Sequence, residues 1–212
     1  GGKVMTTERR TFLGLLAAGA TMAAANAEGA RWPIPGRRSG KYADRFPNIA
    51  LRTHDNVPVR FYDDLLKNRV VIVNFMYSAC SERCPMVNAN LRRLHQALGM
   101  RMGRDILMLS ISLTPEIDQP KTLREYAARY GGTLPGWHYL TGDRRDIESL
   151  RRAMGVFERD PVLDADATIH AGLLTFGNDR SDQWRAIPAL LDPRDLADAI
   201  LRIAPRPNYR LT

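Results

Sequence analysis

Val70-Val71-Ile72-Val73-Asn74-Phe75-Met76-Tyr77-Ser78-Ala79-Cys80-Ser81-Glu82-Arg83-Cys84-Pro85 is the stretch that decides how this chain folds. Its first half is an apolar, β-branched run of the length of a buried strand. Pro85 then opens a pattern of helical period, Met86, Val87, Leu91, Leu94 and Leu98, which Gly99 stops. Cys80 and Cys84, the only cysteines, therefore lie in the turn between a strand and a helix. Two thiols at such a switch can bridge structurally, exchange disulfides or hold a soft metal ion.

Working outward, residues 106–113 form a second apolar run, so strand, helix and strand follow one another as a βαβ unit with parallel strands. Thr114-Pro115-Glu116 ends that strand. Helices are expected over 121–130, over 144–154 behind the cap Thr141-Gly142-Asp143, and over 194–203 behind Asp192-Pro193. Residues 137–140 read as a short strand or turn, 156–167 as an Asp-rich loop, and 168–176 with 183–187 as a hairpin across Gly177-Asn178-Asp179. Near the front, 51–62 alternate around Asp55-Asn56 as a further hairpin. The expected fold is α/β and thioredoxin-like, a mixed sheet with helices on both faces and an added N-terminal hairpin, spanning residues 48–204.

The ends read differently. Arg9-Arg10 precede an Ala-rich apolar segment and the small-x-small site Ala25-Asn26-Ala27, the pattern of a twin-arginine export signal over residues 1–27, with extra residues ahead of Met5. Residues 12–25 are too short to span a bilayer core of about 30 Å. Residues 28–47, rich in Pro and Gly, read as an extended linker, and 205–212 as a C-terminal tail. Export places the chain in the periplasm. Losing Lys3, Arg9, Arg10 and Glu8 with the signal lowers the formal charge from +8 to +6, and the remaining arginines occur as scattered pairs such as Arg92-Arg93 and Arg151-Arg152. That scatter argues against nucleic-acid binding and for solvated helix surfaces or attraction to an acidic partner protein.

A purely structural disulfide between Cys80 and Cys84 would close a loop of about five residues and add only about 2 kcal/mol. The N-terminal end of the following helix favours thiolate, which suits both exchange and metal binding. Exchange usually runs through Cys-x-x-Cys, whereas the spacing here is Cys-x-x-x-Cys. A site for copper in both oxidation states calls for a nitrogen donor beside the sulfurs. Of the four histidines, His95 sits about 16 Å along the helix from Cys84, with a helix-surface role expected. His54 and His138 suit turn and packing roles. His170 opens the late hairpin, which in a thioredoxin-like layout faces the cysteine turn.

Phe75-Met76-Tyr77-x-x-Cys80-x-x-x-Cys84-Pro85, Thr114-Pro115-Glu116-x-Asp118, Leu140-Thr141-Gly142 and the single late His170 resemble the Sco/SenC family of copper-binding thioredoxin-fold proteins. The resemblance runs from about Pro47 to Ala204. It implies that Cys80, Cys84 and His170 bind one copper ion, as Cu(I) or Cu(II). In the reading adopted from it, Asp164 or Asp166 are candidate outer partners of that site. It also implies a metallochaperone that delivers copper to, or helps mature, the dinuclear copper site of cytochrome c oxidase or a similar cuproenzyme. The implied partners are a copper-accepting client such as an oxidase subunit, and another periplasmic copper chaperone or thiol reductase. Membrane contact would come through the client or an uncleaved signal. Many members carry Asp where this chain has Thr114. The alternative is an enzyme, a thiol-disulfide reductase acting on the client's cysteines through Cys80 and Cys84. A closed zinc site fits less well, since it wants four ligands and three are at hand.

Overall fold

The computed structural model describes residue 1 and residues 44–81, 83–130 and 134–205. Apart from residue 1, the segment expected to be an export signal lies outside the described residues, as do most of the expected linker and nearly all of the expected tail. Seven strands form one sheet: β1 (Ala50–Thr53), β2 (Pro58–Arg60), β3 (Val70–Met76), β4 (Ile106–Ser112), β5 (Trp137–Gly142), β6 (Leu173–Asn178) and β7 (Gln183–Pro188). Their order is β2-β1-β5-β4-β3-β6-β7. β3, β4 and β5 run parallel, while β6 and β7 at one edge and β1 and β2 at the other pair antiparallel. This is the thioredoxin-like mixed sheet, with the N-terminal hairpin added beside β5.

The helices are α1 (Arg83–Leu98), α2 (Pro120–Tyr130), α3 (Arg144–Ala153), the short turns α4 (Pro161–Asp164) and α5 (Ala167–His170), and α6 (Pro193–Ile203). Strand side chains alternate between faces, so the sheet carries two cores. Val70, Ile72 and Met76 of β3 pack with Leu91 and Leu94 of α1, Leu123 of α2 and Ile200 of α6. Val71, Val73 and Phe75 pack with Ile147 and Leu150 of α3 and with Phe61 and Leu66 of a π-helical turn, Phe61–Leu66. Being covered on both faces is why β3 and β4 are buried along their whole length and read as continuous apolar runs. Among the described residues no helix is long and apolar enough to cross a membrane.

Several expectations change. Helix α1 begins at Arg83 rather than after Pro85, so Cys84 sits in its first turn. Residues 168–170 are helical rather than strand: the Asp166 side chain accepts from the Thr168 N–H and caps α5, and β6 starts only at Leu173. The Asp-rich segment contains α4, opened by the Asp160 cap and Pro161. His95 is not a surface residue. It is 7% exposed, its Nε2 lies 2.8 Å from the Pro135 carbonyl oxygen, and its ring stacks on Trp137. Phe46, at the end of the expected linker, is buried with its ring edge-on to Trp184 at 4.5 Å.

Candidate metal centre

The end of β3, the turn and the first helical residues of α1 bring the two sulfurs together. Both cysteines are free and buried. The Cys80 N–H donates to the Tyr77 carbonyl at 3.3 Å, and the Cys84 N–H donates to the Cys80 sulfur, also at 3.3 Å. The two thiols are thereby made unequal. Burial works against a Cys80 thiolate, yet hydrogen bonds from the Cys84 thiol and N–H, the Tyr77 hydroxyl and the Arg83 backbone outweigh it and hold Cys80 below the ordinary cysteine value. Burial, then the bond to Cys80, pushes Cys84 up to about 12. Its hydrogen bond to Cys80 likewise pushes the Tyr77 phenol up to about 12. The arrangement favours an anion on Cys80 over one on Cys84, and Cys80 stands at a mouth of about 390 Å³ lined with Tyr77, Arg83, Thr168 and Ala171.

The turn is held from below by Asp118, which has no exposed surface. Its carboxylate accepts from the Ser78 N–H at 3.1 Å, from the Ser112 hydroxyl at 2.6 Å, from the Thr114 hydroxyl at 3.0 Å and from the Ser78 hydroxyl. One side chain thus ties the ends of β3 and β4 to the cysteine turn. The sequence placed Asp118 in a motif but not in this role.

α5 lies across the same mouth: Arg83 Nη1 donates to the Thr168 carbonyl at 3.4 Å. The His170 ring on α5 is buried, and its Nε2 lies 3.0 Å from the Asp164 carbonyl oxygen, 3.3 Å from Asp164 Oδ1 and 3.1 Å from Arg151 Nη1. Asp164 is the hub of this second cluster. Its carboxylate accepts from Arg151 Nη1 at 2.6 Å, Arg151 Nη2 at 3.0 Å, the Glu158 N–H at 2.9 Å, and Arg152. The Arg151 bonds hold its carboxyl far below the usual carboxylate range. Asp166 is occupied as the α5 cap, 2.8 Å from the Thr168 N–H.

The sulfurs are therefore together, while the imidazole is engaged by Arg151 and Asp164. Among the described residues no three His, Cys, Asp or Glu side chains are gathered closely enough to hold a metal ion. His54 accepts from the Tyr139 N–H at 3.3 Å and sits 6.5 Å from the His138 ring, away from the cysteine turn. Sequence reasoning missed Arg151, reading it as solvated. It follows Leu150 and stands four residues after Ile147, on the buried stripe of α3, and that spacing was the available signal.

The SCO1/SenC family profile matches residues 51–204. A SCO1 protein homolog of Bacillus subtilis (strain 168) is 34% identical over 86 residues, which are 40% of this chain and 44% of that protein. The chain spans about half the length of the curated relatives it matches. Among solved structures, Bradyrhizobium japonicum ScoI with copper bound aligns with a TM-score of 0.58 and 21% identity, covering 74% of this chain and 98% of that one. BsSco, described as a member of the Sco family of cytochrome c oxidase assembly proteins with a disulfide switch, aligns with a TM-score of 0.61 and 22% identity, over 74% and 92%. With a family profile covering well over half its length, this chain belongs to the SCO1/SenC family.

Proposed function

We propose that this chain is a periplasmic copper carrier that binds one copper ion through the sulfurs of Cys80 and Cys84 and the imidazole of His170. Its client is the dinuclear copper site of cytochrome c oxidase or a similar cuproenzyme. The observation that carries the reading is the pair of free thiols in the strand-to-helix turn, with Cys80, the one whose anion is favoured, at a surface mouth bordered by α5 and Cys84 buried behind it. Soft thiolates with an imidazole suit copper in either oxidation state. Family membership and a copper-bound structural relative support copper as the metal. The Arg9-Arg10 signal supports export. Copper is the cargo, and donors divided between the cysteine turn and α5 suit release as well as capture.

The test is titration of the reduced protein with Cu(II), following sulfur-to-copper charge-transfer absorption. His170→Ala is expected to change the spectrum and weaken retention by tenfold or more. An unchanged spectrum and affinity would remove His170 from the ligand set.

A second reading, thiol-disulfide reduction of the client's cysteines, is favoured by the inequality of the two thiols. Cys80 is the attacking sulfur and Cys84 the resolving one. Turnover on a client-derived disulfide, lost in both Cys80→Ser and Cys84→Ser, would establish it, and absence of turnover would remove it.

A further inference from the structure

Arg151 Nη1 carries two hydrogens, and three acceptors surround it: Asp164 Oδ1 at 2.6 Å, the Val156 carbonyl oxygen at 2.7 Å and His170 Nε2 at 3.1 Å. The two oxygens are closer, and the carboxylate is charged, so they take both hydrogens. None is left for the imidazole. Nε2 also faces the Asp164 carbonyl oxygen at 3.0 Å and Asp164 Oδ1 at 3.3 Å, both of which only accept. A bare Nε2 there would set lone pair against lone pair. A protonated Nε2 donates to Asp164 and resolves the conflict. His170 Nδ1 has no hydrogen-bond partner among the described residues.

We propose that Arg151 and Asp164 are a positioning pair that fixes neutral His170 as its Nε2–H tautomer, leaving the Nδ1 lone pair as the metal-donating atom. The proposal rests on the copper reading above for the identity of the metal, but not for the tautomer. A ligating imidazole whose other nitrogen donates to a carbonyl or carboxylate has a fixed tautomer and higher basicity, and loss of such a partner costs about 10-fold to 100-fold in affinity. Here the partner is itself immobilised: Asp164 and Arg151 are each about 5% exposed or less. The carboxylate keeps the guanidinium hydrogens occupied, and with them the choice of imidazole nitrogen. In Asp164→Asn the acceptor weakens, an Arg151 N–H is released toward Nε2, and the proton moves to Nδ1. There it blocks the donor atom.

The experiment is long-range proton–nitrogen correlation of the full, metal-free, reduced chain labelled with nitrogen-15 in histidine. It is recorded above the ordinary imidazole pKa of about 6.5. The His170 signals are identified by their loss in His170→Gln. The expected spectrum shows a protonated Nε2 and a bare Nδ1, and stoichiometric Cu(I) moves the Nδ1 resonance while Nε2 keeps its proton. Asp164→Asn shifts the equilibrium toward Nδ1–H and lowers Cu(I) affinity by about 10-fold or more, whereas Asp164→Glu restores part of both. A metal-free wild type that carries the proton on Nδ1, or a Cu(I)-loaded protein whose Nε2 loses it, overturns the proposal. Because the first readout needs neither metal nor variant, it decides the tautomer even if Asp164→Asn fails to fold. Failure of the wild type to take up Cu(I), with the Nε2–H tautomer intact, overturns the copper reading and the donor assignment but upholds the positioning pair.

Discussion

The Cys84 N–H donates to the Cys80 sulfur at 3.3 Å, so the first turn of α1 closes on the thiol four residues before it. The same spacing that departs from Cys-x-x-Cys puts one sulfur at the helix entrance and the other inside the first turn. The pair is asymmetric for a physical reason. A sulfur that accepts hydrogen bonds gains as an anion, and one buried beneath it does not.

That asymmetry predicts ordered alkylation. In the reduced protein at neutral pH, iodoacetamide is expected to modify Cys80 well before Cys84, because Cys80 is held below its ordinary value and Cys84 is pushed up to about 12. Peptide mass mapping over a time course reads the order. Equal rates, or Cys84 reacting first, would contradict the electrostatic account of the turn.

Asp118 should matter to the site without touching the sulfurs. Asp118→Ala strips the acceptor from the Ser78 N–H and from the hydroxyls of Ser78, Ser112 and Thr114, all beside the turn. Leaving these half-buried and buried groups unpaired together is expected to cost about 2 to 3 kcal/mol, and to lower the melting temperature by about 5 to 10 °C. Calorimetry measures the shift. A melting temperature within about 2 °C of wild type, less than 1 kcal/mol on the same scale, would show that the turn stands without this anchor.

The Arg151–Asp164 pair makes a pH prediction. The folded-state pKa of Asp164 is depressed, first by its bonds with Arg151, so its stabilisation is present above the unfolded value of about 4 and is lost as pH falls toward the folded one. Near neutral pH, Asp164→Asn leaves the buried Arg151 without its counter-charge and is expected to cost about 3 kcal/mol. In urea unfolding the gap to wild type should begin to narrow only below about pH 4. A gap constant across that range would mean that the carboxylate charge contributes nothing.

The fold was legible because the strands that define it are buried on both faces and announce themselves as apolar runs, Val70 to Met76 and Ile106 to Ser112. Caps made from Asp and Pro were equally readable where they stood alone, as at Asp192-Pro193. The identical signal at Asp160-Pro161 was read through, because four helical residues are too few to show periodicity. Thr168-Ile169-His170 looked like strand because Thr and Ile favour it, but the Asp166 cap outweighs that preference over a single turn. Arg151 was misplaced for a related reason. An arginine beside Arg152 reads as surface, and only its carboxylate partner 13 residues later turns it inward. The cysteine pair was visible as a motif, but what holds it, Asp118 from beyond β4, depends on contacts that no local pattern encodes.

The central claim is that two sulfurs and one imidazole share a single copper ion. X-ray absorption at the copper edge of protein loaded with one equivalent of Cu(I) tests it most directly. The account predicts a first shell of two sulfur scatterers and one nitrogen, with the nitrogen lost in His170→Ala and a sulfur lost in either Cys80→Ser or Cys84→Ser. A shell unchanged by His170→Ala, or one without sulfur, would contradict it.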